Sequence, residues 1–453
     1  MQLQGQRVLV VGLGKSGLAA VRLLAARGAR VIANDLRSEA ELGELAGMVR
    51  GLGAELVAGA HDPALFSSVD RIVVSPGVAP MPALDAADRA GIPVASEVEL
   101  ASWFIDAFVV GITGTNGKST VTTLVGEMCK RSGRPTFVGG NLGTPLVDVV
   151  ETPAAHGGYV VVELSSYQLE RVQHLHVQVA ALLNVTEDHL DRYPTLAAYA
   201  EAKANVFRCQ RAGDAAVIPA GDALCAQLAA RSAGMVHLFG AAHGVHGAVR
   251  VERGVLVDEV TGPLLPASTL RIKGDHNVSN ACAAALCARL AGVAKVDVVA
   301  VLSEFAGLPH RMVHVADIRD VAYYDDSKAT NVGAAVAALD GLAPSVARIV
   351  LIAGGKDKGG DYAPLRDRLQ HTARAVVLIG AARPIIARAL LDAPYPVEQA
   401  ETLEQAVARA SELAQPGDAV LLAPACASFD MFRSYAHRGD VFQAAVRNLT
   451  GGG

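Results

Sequence analysis

Two glycine-rich loops carry the residue types best suited to chemistry in this chain. The first is Gly12-Leu13-Gly14-Lys15-Ser16-Gly17, between the apolar run VLVV and the stretch KSGLAAVRLLAAR. The second is GTNGKST, residues 114 to 120, which follows DAFVVGIT. Glycines where a strand turns into a helix let backbone N–H groups approach a phosphate, and the helix dipole favours the negative charge.

The first loop admits three readings. Asp35 closes the next apolar run, RVIAND, where an acidic residue can meet a ribose hydroxyl. NAD and hydride transfer is one reading, and another nucleotide-like diphosphate is a second. A close-packed strand–helix turn needs the same glycines.

The second loop is more specific. The amides of Gly114, Thr115, Asn116 and Gly117 can cradle a β-phosphate, and Lys118 can reach the β- and γ-phosphates. Ser119 or Thr120 can offer a hydroxyl to Mg²⁺. The loop is a variant, because Ile112 stands where the usual phosphate loop has its first glycine. A phosphoryl site also needs hard oxygen ligands for its metal. Glu163 ends the run GYVVVE, and Glu187, Asp188, His189 and Asp191 follow VAALLNVT. Taken alone, His189 reads as a surface or helix-capping histidine.

The elements that must position these residues are legible as alternating runs. RVLVV, ARVIAND and RIVVS predict strands around a helix that Gly28 caps. Nearly unbroken apolar runs predict a parallel sheet buried on both faces. A helix runs from the second loop to Gly133, with Val121, Leu124, Val125 and Met128 on one face. Residues 213 to 273 are richer in strands and turns. VAYYDDS, ARIVLIAGG, ARAVVLIG and DAVLLAPA predict a further alternating block.

The totals bound the answer. A length of 453 residues suits about three α/β domains. With 51% hydrophobic and 19% charged residues and a net charge of −5, the chain reads as a globular enzyme. No basic stripe invites nucleic acid, and no apolar run is long enough for a membrane span. The six cysteines form no Cys-x-x-Cys pair and read as reduced core thiols of a cytoplasmic protein.

Several stretches together resemble the Mur ligase family, the ATP-dependent amide-forming enzymes of peptidoglycan precursor synthesis. They are GTNGKST, ELSSYQLE, NVTEDHLDRYP, GDHNVSNACAA, GLPHR and DDSKATN, spread over essentially the whole chain. DSKATN and APACASFD are similar to the branch that adds D-glutamate. The Asp-Asn-Pro-Arg motif of the diaminopimelate-adding branch is absent. Folylpolyglutamate synthases share the phosphate-loop logic only.

The resemblance implies an α/β fold of three domains. Residues 1–96 would be a Rossmann-like domain binding the UDP part of the substrate. Residues 97–308 would be a P-loop ATPase-like mononucleotide-binding domain, and 309–453 a C-terminal Rossmann-like domain for the amino acid. The substrates implied are UDP-N-acetylmuramoyl-L-alanine and D-glutamate, with ATP and two Mg²⁺ ions, in a monomer.

The roles implied are these. Gly14, Lys15, Ser16, Asp35, Leu36, Arg37, Ser75, Pro76, Gly77 and Asn141 would bind the UDP-linked substrate. The loop from Gly114 to Thr120, with Asn277, Asn280, Arg311 and Asp326, would bind ATP. Ser119 and Glu163 would hold one Mg²⁺. His189 and Lys203 would serve a second, the lysine carbamylated; without the resemblance Lys203 reads as a solvated helix lysine. Lys118, His189, Lys203 and Lys328 would be catalytic. D-glutamate would meet His189, Thr330, Lys358, Ser428, Phe429 and Tyr435, with Lys356 a rival to Lys358. Tyr435 stands where the family often has phenylalanine.

Rival readings remain at this level. An NAD-dependent oxidoreductase explains only the first loop. A nucleotide-binding switch protein explains the second and leaves the third block idle. A sister ligase would use another amino acid.

Overall fold

The computed structural model describes residues 2–242, 245–272 and 274–449. Five short runs form a parallel sheet: β1 (Arg7–Val11), β2 (Arg30–Asp35), β3 (Glu55–Ala58), β4 (Arg71–Val74) and β5 (Val94–Ser96). Val8 and Val10 of β1 enter one apolar cluster, Leu9 and Val11 another on the opposite face. This explains why the run has no polar alternation. The spatial order 3-2-1-4-5 reverses direction at β1 and β4. The crevice beyond the carboxyl ends of those strands is where such sheets take ligands. The first glycine loop leaves β1 there and enters helix Lys15–Ala26. Only glycine fits at Gly17, where a Cβ would lie 1.9 Å from the carbonyl oxygen of Gly12.

The next sheet contains β6 (Asp106–Thr113), β7 (Thr136–Gly140), β8 (His156–Glu163), β9 (Val179–Leu182), β10 (Ala215–Pro219) and β11 (Met235–Phe239), all parallel. After a small ribbon of β12 (Ala241–Ala242) and β13 (Val245–His246), an antiparallel meander of β14 (Val249–Glu252), β15 (Val255–Asp258) and β16 (Gly262–Pro266) extends its edge. The order is 16-15-14-11-10-9-6-8-7, so β6 sits between β8 and β9. Helix Lys118–Arg131 starts from β6, and its residues Val121, Leu124, Val125 and Met128 are wholly buried.

The last sheet contains β17 (Val313–Ile318), β18 (Val321–Asp325), β19 (Ile349–Gly354), β20 (Ala373–Ile379), β21 (Val397–Gln399) and β22 (Ala419–Leu422). Its order is 17-18-22-19-20-21, parallel except for the β17–β18 hairpin. Separate apolar clusters cover its two faces.

By internal contacts the chain divides into two units. The first is Met1–Val185, Ala197–Thr269 and Ser279–Glu304, holding the first two sheets. The second is Thr186–Leu196, Leu270–Val278 and Phe305–Gly453. The segment TEDHLDRYP, assigned by sequence to the middle block, therefore groups with the last sheet. The reason is Asp188, which is bonded to Asn331 and Lys358.

Candidate functional site

In the first unit a cavity of about 780 Å³ opens at the carboxyl ends of β1 and β4. Its wall includes Gly14, Lys15, Ser16, Asp35, Leu36, Ser75, Pro76, Gly77 and Asn141. Nine of the ten residues expected to bind the UDP-linked substrate thus share one cavity. The tenth, Arg37, lies behind it: its guanidinium pairs with Asp35, Nη2 to Oδ2 at 2.9 Å. Asp35 also accepts from the N–H groups of Leu13 (2.7 Å) and Arg37 (2.9 Å). Burial would raise the Asp35 pKa, but the Arg37 guanidinium and these two N–H groups outweigh it and bring it down to about 2. This carboxylate braces the glycine loop, with its acceptor positions occupied by the protein. No side chain caps helix Lys15–Ala26, so its first-turn amides face the cavity as an anion site. His61 also lines the cavity and was not foreseen.

The second glycine loop lies between β6 and helix Lys118–Arg131. Gly117 is left-handed (φ 85°), and a Cβ there would meet Asn280 Oδ1 at 2.3 Å. Asn280 thus abuts the loop. Asn184, which sequence reasoning missed, shapes it: its Oδ1 accepts from the N–H of Thr115 (3.1 Å) and of Asn116 (2.8 Å). Two ammonium groups converge on one carbonyl. Lys118 Nζ donates to Gly114 O at 2.8 Å and Lys203 Nζ donates to it at 2.7 Å. Lys203 is buried, 4.4 Å over the Tyr199 ring, which corrects the reading of a solvated helix lysine.

Glu163 ends β8 in register with Ile112, the last but one residue of β6 before the loop. Its carboxylate is buried. One oxygen accepts from Asn141 Nδ2 at 2.6 Å, and the other has no hydrogen-bond partner. An orphaned buried carboxylate oxygen beside a phosphate loop suits a hard cation. Ser119 and Thr120 are buried in the first turn of the following helix. No group of three or more His, Cys, Asp or Glu side chains converges among the described residues. The Glu163 carboxylate with a Ser119 or Thr120 hydroxyl is a sparse oxygen donor set, which suits Mg²⁺ because that ion keeps waters and phosphate oxygens as most of its ligands.

In the second unit, Thr330, Lys358 and Ser428 lie in the loops that follow the carboxyl ends of β18, β19 and β22. Asp188 is buried. Its Oδ1 accepts from Lys358 Nζ at 3.1 Å and its Oδ2 from Asn331 Nδ2 at 3.0 Å. Burial opposes ionisation of Asp188, but Lys358, His189 and the hydrogen bonds from Lys358 and Asn331 hold its pKa below the ordinary value. Its neighbour His189 has φ 57° and donates its backbone N–H to Asp188 Oδ1. Lys358 is therefore tied into the cluster, whereas its rival Lys356 is exposed.

Lys328 Nζ lies 3.8 Å from the centre of the Tyr435 ring. Asp326 is half-buried, its carboxyl pushed up to about 7 by burial against the pull of Arg311 and the N–H of Met312. Asn277 belongs to this unit. Thr330 donates its N–H to Lys328 O. Ser428 is buried, but the Phe429 ring is 72% exposed and is not drawn into the cluster. A further residue escaped the sequence reading. Arg438 is completely buried; it donates to Ser327 Oγ (3.0 Å), Ser327 O (2.8 Å) and Cys426 O (3.2 Å). It thereby joins the DSKATN and APACASFD loops. A lone arginine in a helical stretch carries no signal of such a role.

These two nucleotide-type crevices, with a third α/β sheet bearing a lysine-rich cluster, have counterparts among known proteins. Residues 6–96 match the MurD-like N-terminal domain of Mur ligases, 112–288 the Mur ligase middle domain, and 310–426 the Mur ligase glutamate ligase domain. The chain belongs to the Mur ligase family.

Its relatives include the UDP-N-acetylmuramoylalanine–D-glutamate ligase of Myxococcus xanthus, 45% identical over 99% of this chain and 100% of that protein. The enzyme of the same name from Trichlorobacter lovleyi is 44% identical over the same shares. Among solved structures, UDP-N-acetylmuramate-alanine ligase of Thermotoga maritima aligns with TM-score 0.60 at 20% identity, over 98% of this chain and 100% of that one. A pseudomurein peptide ligase of Methanothermus fervidus aligns with TM-score 0.62 at 19% identity, over the same shares. These last two share the fold.

Proposed function

We propose that this chain joins the L-alanyl carboxylate of UDP-N-acetylmuramoyl-L-alanine to the amine of D-glutamate, with conversion of ATP to ADP and phosphate. The activity is that of the ATP-dependent, amide-forming ligases of peptidoglycan precursor synthesis. The observation that carries this reading is full-length similarity to ligases of that name. The oxidoreductase and switch-protein readings explain neither that nor the third sheet.

A carboxylate oxygen is a poor leaving group, so the reaction divides in two. The carboxylate first attacks the γ-phosphorus of ATP, and ADP leaves. The amine nitrogen then attacks the carbonyl carbon of the acyl phosphate, losing a proton as phosphate departs. The protein's part is placement and charge neutralisation. The diphosphate of the substrate takes the first-turn amides at Lys15 and Ser16, on a loop braced by Asp35 and Arg37. Lys118 and the loop from Gly114 to Thr120 take the ATP phosphates. Asn277 and Asn280 serve the adenine side of ATP, and Arg311 and Asp326 contribute to ATP binding. Lys328 meets the growing charge on the acyl phosphate. Lys358, Thr330 and Ser428, with His189, serve D-glutamate, while Phe429 stands out in solvent and the Tyr435 ring holds Lys328.

Ser119 and Glu163 would hold one Mg²⁺, and His189 and Lys203 would serve a second. The chemistry such a cation would supply is screening of the phosphate charges and polarisation of the γ-phosphoryl group. Carbamylation would turn the buried Lys203 amine into an oxygen donor. The protein works as a cytoplasmic monomer. Among the described residues no helix is long and apolar enough to cross a membrane.

Phosphate release with ATP, Mg²⁺ and UDP-N-acetylmuramoyl-L-alanine tests the reading, comparing D-glutamate, L-glutamate, L-alanine and meso-diaminopimelate. Turnover with D-glutamate alone, and a product heavier by one glutamyl unit, is expected. Turnover with another amino acid in its place would assign the chain to a sister reaction.

A further inference from the structure

His61 follows β3 in the loop that borders the cavity of the first unit. Its ring is held from two sides. Phe66 packs edge-on with ring centroids 5.9 Å apart, and Nδ1 lies 2.5 Å from Asn34 Oδ1. Asn34, wholly buried in β2, donates Nδ2 to two carbonyl oxygens, Val57 O at 2.9 Å and Ala60 O at 2.8 Å. Turning the amide over would set its oxygen against both carbonyls, so its orientation is determined. An amide oxygen only accepts, so the hydrogen of the neutral ring resides on Nδ1. Nε2 is then a bare lone pair on the far side of the ring, and it can only accept.

We propose that His61 is a specificity residue of the nucleotide pocket, whose Nε2 accepts a hydrogen bond from an N–H or O–H of the substrate's nucleoside. This rests on the cavity being the site of the UDP-linked substrate. Two donors of a uridine have this chemistry: the ring N–H and the ribose hydroxyls. Burial lowers the imidazole pKa against the pull of Asp35, which keeps the ring neutral near pH 7. The other charged groups nearby are Lys15 on the cavity wall, Arg37 paired with Asp35, and the exposed Asp62. Protonation would make Nε2 a donor and remove the acceptor. Nucleotide affinity should therefore fall in acid.

The test is calorimetric binding of UDP, CDP and 2′-deoxy-UDP to the full chain and to His61→Phe, from pH 5 to 8. Phenylalanine keeps the ring against Phe66 and removes the acceptor. UDP should bind about ten-fold more weakly to H61F, with the KM for ATP unchanged. The acid loss of affinity should disappear. If His61 reads the ring N–H, the UDP-over-CDP preference collapses in H61F; if it reads the ribose, the preference over 2′-deoxy-UDP collapses. His61→Gln, which keeps an acceptor without titrating, should retain affinity and lose the pH dependence, and it stands in should H61F not fold. Unchanged preferences together with a persistent acid loss in the variant would overturn the proposal. A wild-type chain that binds none of the three nucleotides would instead overturn the assignment of the cavity.

Discussion

The ammonium of Lys328 sits 3.8 Å from the centre of the Tyr435 ring. Tyr435 stands where the family often has phenylalanine, at a position the resemblance assigns to D-glutamate. In the structure the aromatic face holds a lysine of the DSKATN loop, a contact that needs the ring and not its hydroxyl. Tyr435→Phe should keep kcat within about two-fold of the parent, whereas Tyr435→Ala should lower it about ten-fold, the order of a half-desolvated cation–π contact. Steady-state kinetics at saturating substrates decide it; equal losses in both variants would make the hydroxyl the working group.

Asp188 joins Lys358 to Asn331 across the amino-acid cluster. Asp188→Asn removes the negative charge while keeping the shape. The KM for D-glutamate should rise about ten-fold, because the lysine loses the partner that orients it. The KM for ATP should stay. The carboxyl pKa is held below its usual 3.8 in the fold, so the pair stabilises the protein at pH 7. That contribution is lost as pH falls below the usual value. The stability gap between parent and variant, followed by urea unfolding, should therefore close in acid.

Glu97 has the opposite sign. It is fully buried; one oxygen accepts from Val147 N–H at 2.7 Å and the other has no partner. Burial pushes its pKa up from 4.5 to about 7. The folded chain thus holds a proton that the unfolded chain releases, and stability falls as pH rises from about 4.5 to 7. Glu97→Gln should relieve that penalty, on the order of 3 kcal/mol above pH 7. The gain should vanish below pH 4.5. Thermal melts of both proteins at pH 5 and pH 8 measure it.

Arg438 donates to the Ser327 hydroxyl and to backbone carbonyls of two loops. Arg438→Ala should destabilise the protein by about 3 kcal/mol, since several buried acceptors lose their partner together. Arg438→Lys should not restore it, because an ammonium cannot span a guanidinium's fork of directions. Denaturant unfolding of the three proteins provides the comparison. A lysine variant as stable as the parent would reduce the residue to a point charge.

By itself the sequence determined the local architecture and marked the second glycine loop as a phosphate loop. Apolar runs with glycine at their ends must become buried parallel strands with tight turns, whatever surrounds them. GTNGKST announces a phosphate loop because its residue types act on a phosphate within one helical turn. Even the departure at Ile112 is accommodated, since that residue is the last but one of β6.

Long-range pairing was not legible in that way. Asp188 lies in the stretch that matches the Mur ligase middle domain, yet its side chain pairs with Asn331 and Lys358, more than 140 positions away. Asp35 lines the cavity and also braces its own loop with Arg37 and Leu13, a role the sequence does not announce. Asn184, Arg438 and His61 sit in stretches with no motif. What gives them a role is an acceptor or ring brought alongside by the packing of separate strands and helices. Local spacing specifies what a strand or turn will be. Only the tertiary structure decided which buried donor met which acceptor, because a buried polar group must find its partner wherever the fold brings one.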